Sequence, residues 1–281
     1  MIITRTKKEF DRYYKLIKES KKTVGFVPTM GALHEGHLSL IKRSNKENNF
    51  TVVSIFVNPA QFNNATDLIN YPRNEEKDFD LLLKALCDIV FVPDVNEMYP
   101  ERDNRVFEFN GLDRLMEGKY REGHFNGVAQ IVSKLFKIIK PNRAYFGRKD
   151  FQQAAIIKSM NNNYLKDLHI EIVTCDIIRE KDGLAMSSRN QLLNESERKS
   201  AVRISQTLNK YVKQYSKYSV QELIKKITDE INQDYNLKVE YIDIVDDEDL
   251  QNVNKIVPGK TTFCVAVYDG EIRLIDNLAV K

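Results

Sequence analysis

Short apolar runs rich in β-branched and aromatic residues alternate with stretches of helical periodicity along the first 178 residues, which leaves few architectures open. Residues 23–27, 51–57 and 88–92 read as strands with proline or asparagine at their ends. Between the first two, residues 37–46 offer Leu38, Leu40 and Ile41 as an apolar side. Residues 74–86 place Phe79, Leu82, Leu83 and Leu86 at helical spacing, and residues 128–139 repeat the pattern. Two further strands, 143–146 and 170–178, flank a helix at 150–161. Strand–helix–strand repetition at this pitch predicts an α/β fold, a Rossmann-like parallel sheet with helices on both faces. Ligands of such sheets bind beyond the carboxyl ends of the strands.

The character changes near residue 180. Residues 195–218 and 220–232 read as helices, followed by alternating strand patterns at 239–245, 262–268 and 271–275. Asp269-Gly270 between the last two is a strong hairpin signal. Two domains are therefore expected: a Rossmann-like one over 1–178, and a smaller α+β lid domain over 179–281.

Composition narrows the function. The 43 basic and 40 acidic residues nearly cancel, so there is no nucleic-acid signature, though a local basic pocket for phosphates stays open. No apolar run approaches the ~20 residues needed to span a bilayer, and the N-terminus has no signal-peptide core. Cys87, Cys175 and Cys264 lie far apart among apolar residues, which predicts buried free thiols in a reducing compartment. A cytoplasmic enzyme is expected.

Two constellations carry chemistry. The first is Pro28-Thr29-Met30-Gly31-Ala32-Leu33-His34-Glu35-Gly36-His37, where a strand gives way to a helix. Backbone N–H groups and the positive end of the helix dipole favour a phosphate there. Imidazoles can donate to a phosphoryl group as its charge develops. Two other readings stand beside this one: structural histidines at a helix start, or two of three zinc ligands. Zinc lacks a third ligand, since the remaining histidines are His124 and His169 and no cysteine is near. The second constellation is Leu184-Ala185-Met186-Ser187-Ser188-Arg189-Asn190, after Gly183. Its hydroxyls and guanidinium would make a mobile clamp for a triphosphate.

The pairing of His-x-Gly-His with Met186-Ser187-Ser188-Arg189 resembles the adenylate-forming nucleotidyltransferases, whose second signature is a Lys-Met-Ser-Lys-Ser-like loop. Six ordered blocks sharpen this. They are 28–37, Phe56-Val57-Asn58-Pro59-Ala60-Gln61-Phe62, Tyr71-Pro72-Arg73, Gly123-His124-Phe125-Asn126-Gly127-Val128, Phe146-Gly147-Arg148-Lys149-Asp150-Phe151-Gln152-Gln153 and 183–190. They are similar to the pantoate–β-alanine ligase (pantothenate synthetase) family.

The resemblance implies ATP and its magnesium as cofactors, with pantoate and β-alanine as further substrates. Pantoate attacks the α-phosphorus to give pantoyl adenylate and pyrophosphate. β-Alanine then attacks the acyl carbon, releasing AMP and pantothenate. By position, Met30, Gly31, Ala32, Leu33, His34, Glu35, Gly36 and His37 match one ATP segment, and Gly147, Arg148, Lys149 and Asp150 another. Ile178, Leu184, Ala185, Met186 and Ser187 match the remaining nucleotide contacts. His34, His37, Lys149, Ser187, Ser188 and Arg189 are expected to act on the phosphates, with His37 a hydrogen-bond donor to the pentavalent phosphorus. Gln61 and Gln153 match the pantoate-holding amides, and Asn58 a supporting role. No protein metal cage is expected. The family is commonly dimeric, which implies a homodimer, with residues 106–109 as an edge strand across the interface. Two departures stand out: Glu122 replaces a usual proline before Gly123, and Arg148 stands where glutamine is common. Tyr71 and Arg73 could equally cap a turn at Pro72.

Overall fold

The computed structural model describes the backbone of residues 1–281 and every side chain except that of Lys18. The chain forms two compact units. The first comprises Met1–Gly111, Arg121–Arg148 and Gln153–Asp176; the second comprises Leu112–Tyr120, Lys149–Gln152 and Ile177–Lys281.

The first unit is built on six strands: β1 (Ile2–Thr4), β2 (Val24–Thr29), β3 (Phe50–Ile55), β4 (Ile89–Phe91), β5 (Arg143–Gly147) and β6 (Glu171–Cys175). Their order is β1-β4-β3-β2-β5-β6, and every pair is parallel. The alternation expected from the sequence is thus present as a Rossmann-like sheet. β1 was not legible as a strand. It has three residues, two of them exposed, and exists because its backbone pairs with β4. Val27, Val53 and Val90 of the central strands pack with Ile41 and Leu82 from helices Glu35–Glu47 and Glu75–Lys84. Each such burial contributes roughly 1.5–3 kcal/mol.

The second unit has an antiparallel sheet, β7 (Leu237–Asp246), β8 (Thr261–Asp269) and β9 (Ile272–Ala279), in that order. Asp269-Gly270 turns β8 into β9 as the sequence predicts, with Gly270 at φ +56°. Helices Glu195–Val212 and Val220–Ile231 contribute Ile204, Leu208, Leu223 and Ile227 to one core with Phe263 and Val265. Both helices start at capping boxes, Asn194 with Glu197 and Ser219 with Glu222. The expected single helix over 195–218 ends at Val212, and a short 3-10 turn follows at Tyr215–Lys217.

Two short segments complete this unit. Glu117 accepts two bonds from Arg273 of β9, at 2.7 and 2.8 Å, and a third from the Tyr241 hydroxyl at 2.9 Å. The Gln152 amide donates to the carbonyls of Leu112 and Leu115 at 2.6 and 2.7 Å.

None of the three cysteines is in a disulfide. Cys87 and Cys264 are buried as expected, and burial pushes the Cys87 thiol up to about 12. Cys175 is only half-buried, because it ends an edge strand.

Candidate active site

At the carboxyl end of β2 the chain turns sharply, with Gly31 at φ +81° and Ala32 at φ +49°. A Cβ at position 31 would stand 3.0 Å from Asp78 Oδ2, so glycine suits both the conformation and the space. Asp78, buried in helix Glu75–Lys84, accepts the N–H groups of Ala32 at 2.9 Å and Leu33 at 2.7 Å. Burial raises its carboxyl above the ordinary range, while those two bonds pull the other way.

The histidines follow directly. His34 is the N-cap of helix Glu35–Glu47, and its Nδ1 accepts the Gly36 N–H at 3.1 Å. His37 Nδ1 accepts the His34 N–H at 3.3 Å, completing a capping box from two imidazoles. The structural reading of these residues is therefore real, and it has a chemical consequence. With each Nδ1 lone pair occupied by a backbone donor, the hydrogen of each neutral ring sits on Nε2. The ring centroids are 4.1 Å apart. Two Nε2–H donors thus stand side by side at a helix start.

Several main-chain N–H groups of this turn are engaged within the chain. The N–H groups of residues 31, 32, 33, 34 and 36 are bonded to Thr29, Asp78, His37 and His34.

Asn58 organises a second set, in the loop after β3. Buried at 1% exposure, its amide donates to the Gln61 Oε1 at 3.1 Å and the Gly127 carbonyl at 3.0 Å. Its Oδ1 accepts from the Tyr99 hydroxyl at 2.8 Å. Burial holds that phenol well above its ordinary value, so it remains a donor. The Gln61 amide reaches the Met30 sulfur at 3.1 Å, and the Gln61 carbonyl accepts from His124 Nδ1 at 2.7 Å. Met30, Asn58 and Gln61 are thereby brought together. Helix His124–Ile139 abuts the short turn Pro59–Gln61 so closely that a Cβ on Gly127 would stand 2.3 Å from the Ala60 carbonyl. Glu122, at the departure from the family pattern, offers its carbonyl to Asn63. Gln153 lies half-buried in the first turn of helix Phe151–Tyr164.

In the second unit, the loop from Ile178 is stitched across its neck. Met186 N–H donates to the Ile178 carbonyl, Glu180 N–H to Leu184, and Gly183, at φ +98°, turns the tip. Asn190 donates to Glu180 and to the Ala185 carbonyl. Ser187 caps the 3-10 turn Ser188–Leu192 by accepting the Arg189 N–H at 3.3 Å. These bonds cross-link the loop expected to clamp a triphosphate. Lys149 lines a small cavity with Leu184, Ala185 and Ser187. Its neighbour Asp150 lies 3.7 Å from its Nζ. Gly147 closes β5 with open space on the side a Cβ would take, and Arg148 N–H donates to the Cys175 carbonyl.

A model of the family described as pantoate-beta-alanine ligase matches residues 2–279. The chain belongs to the pantoate–β-alanine ligase family. Pantothenate synthetase from Bacteroides fragilis (strain YCH46) is 49% identical over 284 residues, covering 100% of this chain and 99% of the relative. The pantothenate synthetase from Thermus thermophilus superposes with a TM-score of 0.91 at 39% identity, covering 100% and 99% of the two chains. The ligase from Francisella tularensis, solved with βγ-ATP and β-alanine, gives a TM-score of 0.82 at 34% identity, covering 100% and 98%.

Two residues that hold these segments in place carry no signal in the sequence. Asp78 lies 46 positions from Ala32 and reads only as an acid near a helix start. Tyr99 follows a four-residue helix and carries no local signal. Arg73 bonds the carbonyls of Leu68, Ile69 and Tyr71, so it closes helix Ala65–Asn70, where the plainer reading had it cap a turn at Pro72. His169 is exposed. Among the described residues no cluster of three His, Cys, Asp or Glu could hold a metal ion, and no helix is long and apolar enough to cross a membrane.

Proposed function

We propose that the chain joins pantoate to β-alanine at the expense of ATP, through pantoyl adenylate. The observation that supports this reading is the pair of imidazoles whose Nδ1 atoms accept backbone N–H groups at the helix cap, which puts the hydrogen of each neutral ring on Nε2. Family membership over residues 2–279 gives the substrates. A pantoate carboxylate oxygen attacks the α-phosphorus and the bond to the pyrophosphate oxygen breaks. His37, with His34 beside it, donates to the phosphoryl oxygens as negative charge builds in the pentavalent state. Lys149, Ser187, Ser188 and Arg189 hold the triphosphate, with Met30 to Gly36, Gly147, Arg148, Asp150, Ile178 and Leu184 to Met186 on the rest of the nucleotide. Magnesium entering with ATP screens charge on the departing pyrophosphate. Gln61 and Gln153 orient pantoate, and Asn58 fixes Gln61. The β-alanine amine then attacks the acyl carbon, AMP leaves with the electron pair of the acyl–oxygen bond, and the amine proton passes to solvent or phosphate. No enzyme nucleophile is needed. In this reading the segment up to residue 178 serves nucleotide and pantoate, the rest serves the nucleotide, and the enzyme works in the cytoplasm.

The test is AMP release from MgATP. AMP formed only when both pantoate and β-alanine are present, in step with pantothenate, supports the reading. AMP transfer to tRNA, or a stable dinucleotide product, would overturn it.

We further propose a homodimer. Residues 106–109, expected as an edge strand, form no strand within the chain, yet their burial alternates, with Phe107 and Phe109 buried and Val106 78% exposed. Asn126 and Gln130 bond the backbone of Arg105 and Phe107, and the Glu108 N–H donates to the Tyr164 hydroxyl at 2.9 Å, so the exposed Val106 side chain is what a partner would cover. Light scattering expects a dimer, and Val106→Glu a monomer; a monomeric unsubstituted chain refutes it.

A further inference from the structure

Two consecutive residues of β9 reach two separate elements to which the proposed function assigns the triphosphate. Asp276, buried, accepts from both arms of the Arg179 guanidinium at 2.7 and 2.9 Å. The same guanidinium donates to the Gly183 carbonyl at 3.1 Å and the Asn277 carbonyl at 3.3 Å, so it closes the turn that precedes Ser187. Asn277, also buried, donates its amide to the Lys149 carbonyl at 2.9 Å, and its own N–H bonds Asp276 Oδ1 at 2.7 Å. Asp276 lines the same small cavity as Lys149, Leu184, Ala185 and Ser187. Sequence separations of 97 between Asp276 and Arg179, and of 128 between Asn277 and Lys149, show that this is tertiary architecture.

From this geometry we infer that Asp276 and Asn277 are positioning residues, which set Lys149 and the 179–190 loop in one register for the triphosphate. The inference rests on the proposed function. Neither residue is asked to touch substrate; Asp276 acts through Arg179, and Asn277 through the main chain of Lys149. A bidentate carboxylate–guanidinium pair has a fixed plane as well as strength. Buried, it resists loosening, because removing one partner strands the other charge. Donor groups displaced by about 1 Å from a reacting phosphate lose on the order of 10²-fold in rate.

The experiment compares full-length Asp276→Asn, Arg179→Gln and the double variant with the unsubstituted chain. Steady-state parameters for ATP and pantoate are measured, alongside aminolysis of supplied pantoyl adenylate by β-alanine. Each single variant is expected to lose about 10- to 100-fold in kcat/KM for ATP, while aminolysis stays within about twofold. The double variant should be no worse than either single one, as befits residues acting as a unit. A purely structural role would lower both half-reactions together. ATP parameters within twofold of the parent, equal losses in both halves, or additive losses in the double variant would overturn the inference. Should Asp276→Asn fail to fold, Arg179→Gln is read by the same half-reaction criterion. A parent chain that forms no AMP from ATP, pantoate and β-alanine together would instead defeat the proposed function itself.

Discussion

The Nδ1 of His37 accepts the main-chain N–H of His34 at 3.3 Å, and this one bond assigns the hydrogen of the neutral imidazole to Nε2. His37→Ala should lower pantoyl-adenylate formation about 10²–10³-fold, the scale of one lost transition-state donor. Loss of the cap should cost roughly 1 kcal/mol of stability. Rapid-quench assays and thermal unfolding separate the two effects; an unchanged adenylation rate would refute the role.

Asp78 holds the turn that sets those histidines. Asp78→Ala leaves the buried N–H groups of Ala32 and Leu33 without their acceptor, at about 1–3 kcal/mol each. A lower Tm together with a raised KM for ATP is expected. Full retention of both would show that the turn stands without its carboxylate.

Gly127→Ala tests the contact between helix His124–Ile139 and the Asn58–Gln61 turn. The new methyl meets the Ala60 carbonyl, which is backbone and yields little. Overpacking of this kind costs roughly 1–3 kcal/mol. Because Gln61 moves with that turn, the KM for pantoate should rise more than the KM for ATP, as steady-state kinetics will report.

Asp269 makes stability depend on pH. It is fully buried at the end of β8, and neither carboxylate oxygen has a hydrogen-bond partner among the described residues. Burial, with Glu197 and Asp234 nearby, pushes its carboxyl up to about 7. Between roughly pH 4, the ordinary value, and pH 7 the folded chain keeps this proton while the unfolded chain has released it. Stability from this group therefore falls as pH rises across that window and levels off above it. Asp269→Asn should flatten the fall and raise the Tm at pH 8; a variant whose Tm follows pH as the parent's does would refute the assignment.

Much of this was legible along the chain. The alternation of β-branched runs with helical spacing, Asp269-Gly270 at the hairpin, and His-x-Gly-His at a strand end are all written within windows of about ten residues. Local propensity and side-chain period act over that range. The His34 and His37 roles could be posed from spacing, but not decided between cap and ligand contact. Only the backbone geometry showed that one ring atom serves the cap and the other is left to carry the hydrogen.

What depended on tertiary structure has a common cause. β1 needs β4 beside it, Asp78 needs the turn at Ala32, and Asp276 needs Arg179. Residues 112–120 and 149–152 join the second unit through Arg273 and Asn277, far along the chain. Such contacts form between groups separated by dozens of residues, where no period or propensity links them. The sequence by itself determined the elements, the hairpin and the family motifs, because those signals are local. Packing alone decided which buried carboxylate meets which donor, because desolvated charges and N–H groups must be paired with whatever the fold brings near.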